Sequence, residues 1–157
     1  MKPTFSPTRF LAILAAGAVL GFGSFLVDAP SATAATTTSE VKLTSQLVDE
    51  SGVLSEKEKT DITASLKEAT KESGKKLYIV FVPTAPDSIN AMAEQLRDQD
   101  GTDNVIVLAV ATETRQIGYA AGDKVKTSEA EKLQDAAQDH FADDDWAGGA
   151  QAAADKL

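Results

Sequence analysis

The chain has 157 residues, no cysteine and a formal net charge of −9. That length leaves room for one domain and a leader. A pI of about 4.5 argues against nucleic acid and anionic lipid surfaces as partners, because both need a basic footprint. Without cysteine there is no disulfide, no thiolate nucleophile, no thiolate metal site and no lipobox anchor, so an exported domain must rely on an ordinary core.

The N-terminus reads as an export segment. Lys2 and Arg9 make a positive start, and an apolar run extends from Phe10 to Val27. Ala32-Thr33-Ala34 offers small residues for cleavage before Ala35. Two readings stand for residues 1–34: a cleaved signal peptide, or an uncleaved membrane anchor, since the apolar run approaches the ~20 residues a span needs. Either places the remainder outside the cytoplasm, secreted or held at the outer face of the cytoplasmic membrane. Membrane contact would come only through residues 10–27. Residues 35–40, ATTTSE, have nothing to bury and read as a disordered linker. The folded domain is expected over 41–157.

Gln46 to Asp49 reads as a short extended piece. Ser55 with Glu58 three residues on is the capping-box pattern and opens a helix. Ile62, Leu66 and Ala69 form its apolar stripe, and Gly74 ends it. Lys76 to Val82, KLYIVFV, is a buried strand stopped by Pro83. Pro83 and Pro86 bracket a loop. Asp87 or Ser88 then caps a second helix with Ile89, Met92, Ala93 and Leu96 inward and Gly101 at its end. Asn104 to Ala111 is apolar and β-branched, as a strand buried on both faces requires. After Thr112-Glu113-Thr114, the stretch from Arg115 to Ala120 returns as an antiparallel edge strand. Ser128 with Glu131 predicts a third helix, its inner face Ala130, Leu133, Ala137 and Phe141. Asp143-Asp144-Asp145 breaks it. A final Ala-rich helix over Ala147 to Leu157, poor in large apolar groups, is expected to be loosely held. The alternation of strand and helix predicts an α/β protein: a three-layer α/β/α sandwich with a mostly parallel central sheet and an antiparallel edge strand.

Five segments in this order resemble the TPM domain family. Its members include thylakoid-lumen proteins linked to photosystem II repair, a nematode modulator of acetylcholine receptors and many bacterial envelope proteins. Residues 47–55, LVDESGVLS, look like the family's opening V-x-D-x-x-x-x-L-S. Glu72-Ser73-Gly74 with the strand from Leu77 to Val82 is similar to its helix end and strand. Residues 103–109, DNVIVLA, resemble its D-N-G-hydrophobic strand, and Arg115 to Gly122 its R-x-x-x-x-x-x-G. Asp145-Trp146-Ala147-Gly148-Gly149 resembles G-D-Y-x-x-G. The departures are Val105 where the family has Gly, a short segment from Asp98 to Asp103, and Asp123 where G-x-G-[LI]-E would continue. The resemblance implies the α/β/α sandwich already expected from the alternation.

In such sheets ligands gather outside the carboxyl ends of the strands. Carboxylates brought together there repel unless a hard cation sits between them, and Ca²⁺ accepts six to eight oxygens with loose geometry. Family members bind divalent metal at an acidic site, so the resemblance implies Asp49, Asp103 and Asp145 as ligands. Asp144 and Glu113 join them on local grounds. The competing reading makes each a turn former or a solvated loop residue. Asp98 to Asp103 fails as an EF-hand, with Gly101 at the fourth position and Ala109 at the twelfth.

His140 is the single histidine, so HExxH and two-histidine metal sites are excluded. No G-x-S-x-G elbow presents a serine. No P-loop or G-x-G-x-x-G supports a nucleotide. Arg115 is expected to pair with Glu113 across the turn, the other reading being an anion clamp. Trp146 is expected to plug a helix onto the core, the other reading being an exposed recognition aromatic. The functional expectation is a non-catalytic accessory or binding module at the cell envelope, with a membrane or envelope protein as partner and Ca²⁺ or another divalent cation as ligand. The alternative, implied by the resemblance, is a metal-dependent acid phosphatase of low activity. In it Asp49, Asp103 and Asp145 hold the ion and Arg115 takes charge in the transition state.

Overall fold

A computed structural model describes residues 41–85 and 87–157. The leader or anchor over 1–34, the linker over 35–40 and the second bracketing proline, Pro86, lie outside the described residues. In chain order the elements are β1 (Leu47–Asp49), α1 (Glu56–Ser73), β2 (Lys76–Val82), α2 (Ile89–Asp100), β3 (Val105–Ala111), β4 (Gln116–Ala121), α3 (Thr127–Ala142) and α4 (Trp146–Ala154). One sheet has the order β1-β2-β3-β4. β1, β2 and β3 run parallel, and β4 returns antiparallel to β3. This is the predicted α/β arrangement. Among the described residues no helix is long and apolar enough to cross a membrane.

Side chains alternate across a strand, so the long strands of this sheet feed two cores. Leu77, Ile79 and Phe81 of β2 and Ile106, Leu108 and Val110 of β3 face a core completed by α1, α3 and α4. Val80 and Val82 of β2 and Val105, Val107, Ala109 and Ala111 of β3 face the other, covered by α2. Every residue of β3 is buried, as its unbroken apolar run predicts for a strand with helices on both sides. Ile62 and Leu66 of α1, the four-residue stripe of α2 and the four-residue stripe of α3 are the buried positions of those helices, as expected from their spacing.

The helix ends follow capping chemistry with two exceptions. Ser55 and Glu58 form the capping box, and Gly74 and Gly101 close α1 and α2 at φ 70° and 67°, where a β-carbon is strained. Ser88 occupies the N-cap of α2 but makes no side-chain cap bond. α3 is capped at Lys126, two residues before the expected Ser128. Val125 is buried and its amide bonds Gly122, which brings the chain into the helix by Thr127. Glu129, not Glu131, then reaches back to the Lys126 amide at 3.2 Å.

α4 is not loosely held. Ala150, Ala153 and Ala154 are buried to within 3 %. A β-carbon on Gly149 would lie 2.2 Å from Phe141 Cε1. Small residues let α4 approach the core closely, so its lack of bulk is what seats it. Trp146, half-buried, stacks on Phe141 with ring centroids 5.7 Å apart and meets Phe81 edge-on at 6.2 Å. It is a core plug, as expected.

Candidate functional site

At the carboxyl ends of β1, β2 and β3 lie residues 50–55, the loop that follows Val82 and the turn 112–115, and Arg115 joins the α3–α4 connection 143–145 to this end. Four of the five expected ligands, Asp49, Glu113, Asp144 and Asp145, fall at this end.

Asp49 ends β1 with its side chain 2 % exposed. Its Oδ1 accepts the amides of Gly52 at 2.8 Å and Val53 at 3.3 Å, and its Oδ2 the amide of Leu54 at 3.2 Å. Lys59 Nζ lies 3.5 Å from Oδ2. A buried carboxylate must be bonded or paired, and these partners meet that need. The short side chain turns the loop around itself, with Gly52 at φ 67° supplying the left-handed corner.

Asp145 caps α4. Its Oδ1 accepts the Gly148 amide at 2.9 Å, and its Oδ2 lies 2.8 Å from His140 Nδ1. The His140 bond, then the Gly148 amide, holds the Asp145 carboxyl below the usual carboxylate range. Because a carboxylate only accepts, Nδ1 carries the hydrogen of this bond.

Arg115 does not pair with Glu113. Its guanidinium donates to Asp144 Oδ2 at 2.7 Å and to the Ala142 carbonyl at 2.9 Å. The turn explains the change. Arg115 lies outside β4 at φ 51°, and from there its side chain reaches the end of α3. Glu113 is exposed, its amide bonded to the Pro83 carbonyl. Among the described residues its carboxylate has no hydrogen-bond or ion-pair partner.

Asp103 belongs to the other end of the sheet. It precedes β3, its carboxylate pairs with Lys124 at 3.0 Å and its carbonyl accepts the Lys124 amide. Asp49 is level with Phe81 and, through β2, with Val110. Most of the length of β3 separates that level from Asp103, about 20 Å at roughly 3.3 Å per residue. Ca²⁺–oxygen bonds are about 2.4 Å long. Asp49, Asp103 and Asp145 therefore do not fit around one ion. Among the described residues, no three His, Asp or Glu side chains come together as a metal-holding group.

Sequence reasoning missed Lys59 and the His140–Asp145 pair. Lys59 sits one turn into α1, beyond the loop that Asp49 ties. His140 and Asp145 are five residues apart across a helix end, a spacing that no helical rule brings together.

The TPM domain family model matches residues 47–157. The chain belongs to the TPM domain family. The match begins at β1 and runs through α4, so this TPM domain is the whole four-stranded unit described above. No curated protein matches the chain in sequence. Among the solved structures that share its fold are the following three. The N-terminal domain of the cg2496 protein from Corynebacterium glutamicum is 24 % identical at a TM-score of 0.66, with 85 % of this chain and 84 % of that one covered. The N-terminal domain of a protein from P. gingivalis is 16 % identical at a TM-score of 0.60, covering 69 % and 76 %. The BA42 protein from Bizionia argentinensis is 17 % identical at a TM-score of 0.58, covering 66 % and 77 %. At these identities the likeness is one of fold.

Proposed function

We propose that this TPM domain is exported and acts by binding, as an accessory module at the cell envelope, without catalysing a reaction. One observation carries the reading: of the four expected ligands at the carboxyl end of the sheet, all but Glu113 already have work within the fold. Asp49 ties a loop, Asp145 caps α4 and holds His140, and Asp144 holds Arg115. A catalytic site keeps its base and its charge-stabilising group turned toward substrate. Here both His140 and Arg115 brace the α3–α4 connection. The positively charged start and apolar run of the leader support export.

The test has two parts. Fractionation of the native cell should place the protein outside the cytoplasm, and retention inside would remove the envelope role. Purified full-length protein should hydrolyse an aryl phosphate no faster than its Asp145→Asn variant in Ca²⁺, Mg²⁺ or Mn²⁺. Metal-dependent hydrolysis that falls in the variant would replace this reading with the phosphatase.

A further inference from the structure

The sheet has two edges, and the chain treats them differently. β1 is three residues long, and the Ser45 hydroxyl takes its Leu47 carbonyl. β4 is six residues long, QIGYAA, with neither proline nor lysine to blunt it. The register shows which of its groups are free. Gly122 donates to the Val105 carbonyl at 2.8 Å, so the pairs Val107–Ala120 and Ala109–Gly118 are the hydrogen-bonded ones. Ile117, Tyr119 and Ala121 then turn their N–H and C=O groups away from the sheet. Arg97 confirms the direction by donating to the Ala121 carbonyl at 3.4 Å. Among the described residues, the outward groups of Ile117 and Tyr119 have no partner.

The side chains beside this edge have one chemical character. Ile117 and Tyr119 are half-buried, leaving an apolar strip two residues apart. Exposed Glu131 and Asp135, four apart on α3, face it. Burial first, then the charge of Glu131 and a hydrogen bond to it, then the charge of Asp135, push the Tyr119 phenol up. A second copy of the chain would bring like carboxylates together, each chain at −9.

We propose that the β4 edge is a docking surface for an extended basic peptide segment of a partner protein. The segment would extend the sheet by one strand, bonding the outward backbone groups of Ile117 and Tyr119. Alternate Lys or Arg side chains would meet Glu131 and Asp135. This inference stands on the β4 backbone and does not depend on where the protein resides.

The experiment uses the full chain and two acetylated octapeptides, alternating Lys-Val and alternating Glu-Val, read by amide shifts and hydrogen exchange. Lys-Val should slow exchange at Ile117 and Tyr119, and Glu-Val should not. Glu131→Gln with Asp135→Asn should weaken binding about tenfold, in line with two rim charges. Ile117→Pro removes one outward N–H without touching the β3 ladder and should abolish protection at Tyr119. Unchanged exchange at Gly118 and Ala120 would verify that the variant stays folded, and the charge variant tests the same surface without altering the backbone. Three results would overturn the proposal: no protection by Lys-Val, equal protection by Glu-Val, or protection of β4 that rises with chain concentration in the absence of peptide, the sign of a second copy.

Discussion

Arg115 and Asp144, 29 positions apart in sequence, are both non-glycine residues in the left-handed region, at φ 51° and 62°, and their side chains meet at 2.7 Å. The pair ties the β3–β4 turn to the α3–α4 connection. Each side chain is more than half exposed, at 54 % and 55 %, so solvent screens the attraction. A double-mutant cycle of Arg115→Ala and Asp144→Asn should give a coupling of about 0.5 kcal/mol, within the usual range for exposed pairs. Urea denaturation of the four proteins measures it. Asp144→Gly should cost less than Asp144→Ala, because glycine relieves the backbone that alanine leaves strained.

Asp49 should matter more to stability than any surface carboxylate. Its replacement by alanine strips three loop amides of their acceptor and leaves Lys59 without its buried partner. The expected loss is about 2–3 kcal/mol: the part-buried Val53 and Leu54 amides keep their desolvation cost, while the exposed Gly52 amide turns to water. Chemical denaturation reads the loss. A change under about 0.5 kcal/mol, the usual size for a surface substitution, would mean that the loop stands without Asp49.

Gly149→Ala tests whether α4 is seated as closely as it looks. Alanine adds helix propensity, worth about 1 kcal/mol, but its β-carbon would overlap the Phe141 ring. Overpacking costs about 1–3 kcal/mol, so the variant should be destabilised on balance. The Trp146 fluorescence should change with it, since Trp146 stacks on the same ring. A stabilised variant with unchanged fluorescence would show room at the contact.

The Asp145 carboxyl sits below its ordinary range because of His140 and the Gly148 amide. A depressed folded pKa stabilises above the unfolded value and is lost as pH falls through the folded one. Asparagine keeps the cap of α4 but gives up the charge. The stability gap between the native chain and Asp145→Asn should therefore be larger at pH 5 than in strong acid, closing below about pH 4. Thermal melts across that range check it, and a gap that widens on acidification would refute it.

The Tyr78 phenol behaves in the opposite sense. Burial, then its 2.8 Å bond to Asp100, pushes its pKa up to about 12. A raised folded pKa contributes stability below the unfolded value of 10.0 that is lost as pH rises toward 12. Both tyrosine phenols are pushed up, so phenolate absorbance should rise late for both, and Tyr78→Phe should remove the step near pH 12.

The fold was legible in the residues because local patterns and tertiary demands agree for most of this chain. KLYIVFV and the run from Val105 to Ala111 have only apolar ways to be buried. The stripes of α2 and α3 leave one inward face each. Ser55 with Glu58, Gly74 and Gly101 mark ends that depend only on neighbouring residues. α4 was misjudged because bulk is a poor guide where a facing ring, Phe141, supplies it.

Partner choice lay beyond the sequence. Composition counts the carboxylates, and spacing puts Asp49 and Asp103 at strand ends. Only the parallel register decides that those are opposite ends. Arg115 took Asp144 over nearby Glu113 because a left-handed turn aimed it. His140 met Asp145 because a helix ended between them. Burial periodicity is a property of short stretches and survives in the sequence. Which charges meet depends on angles summed over dozens of residues, and only the folded chain settles that sum.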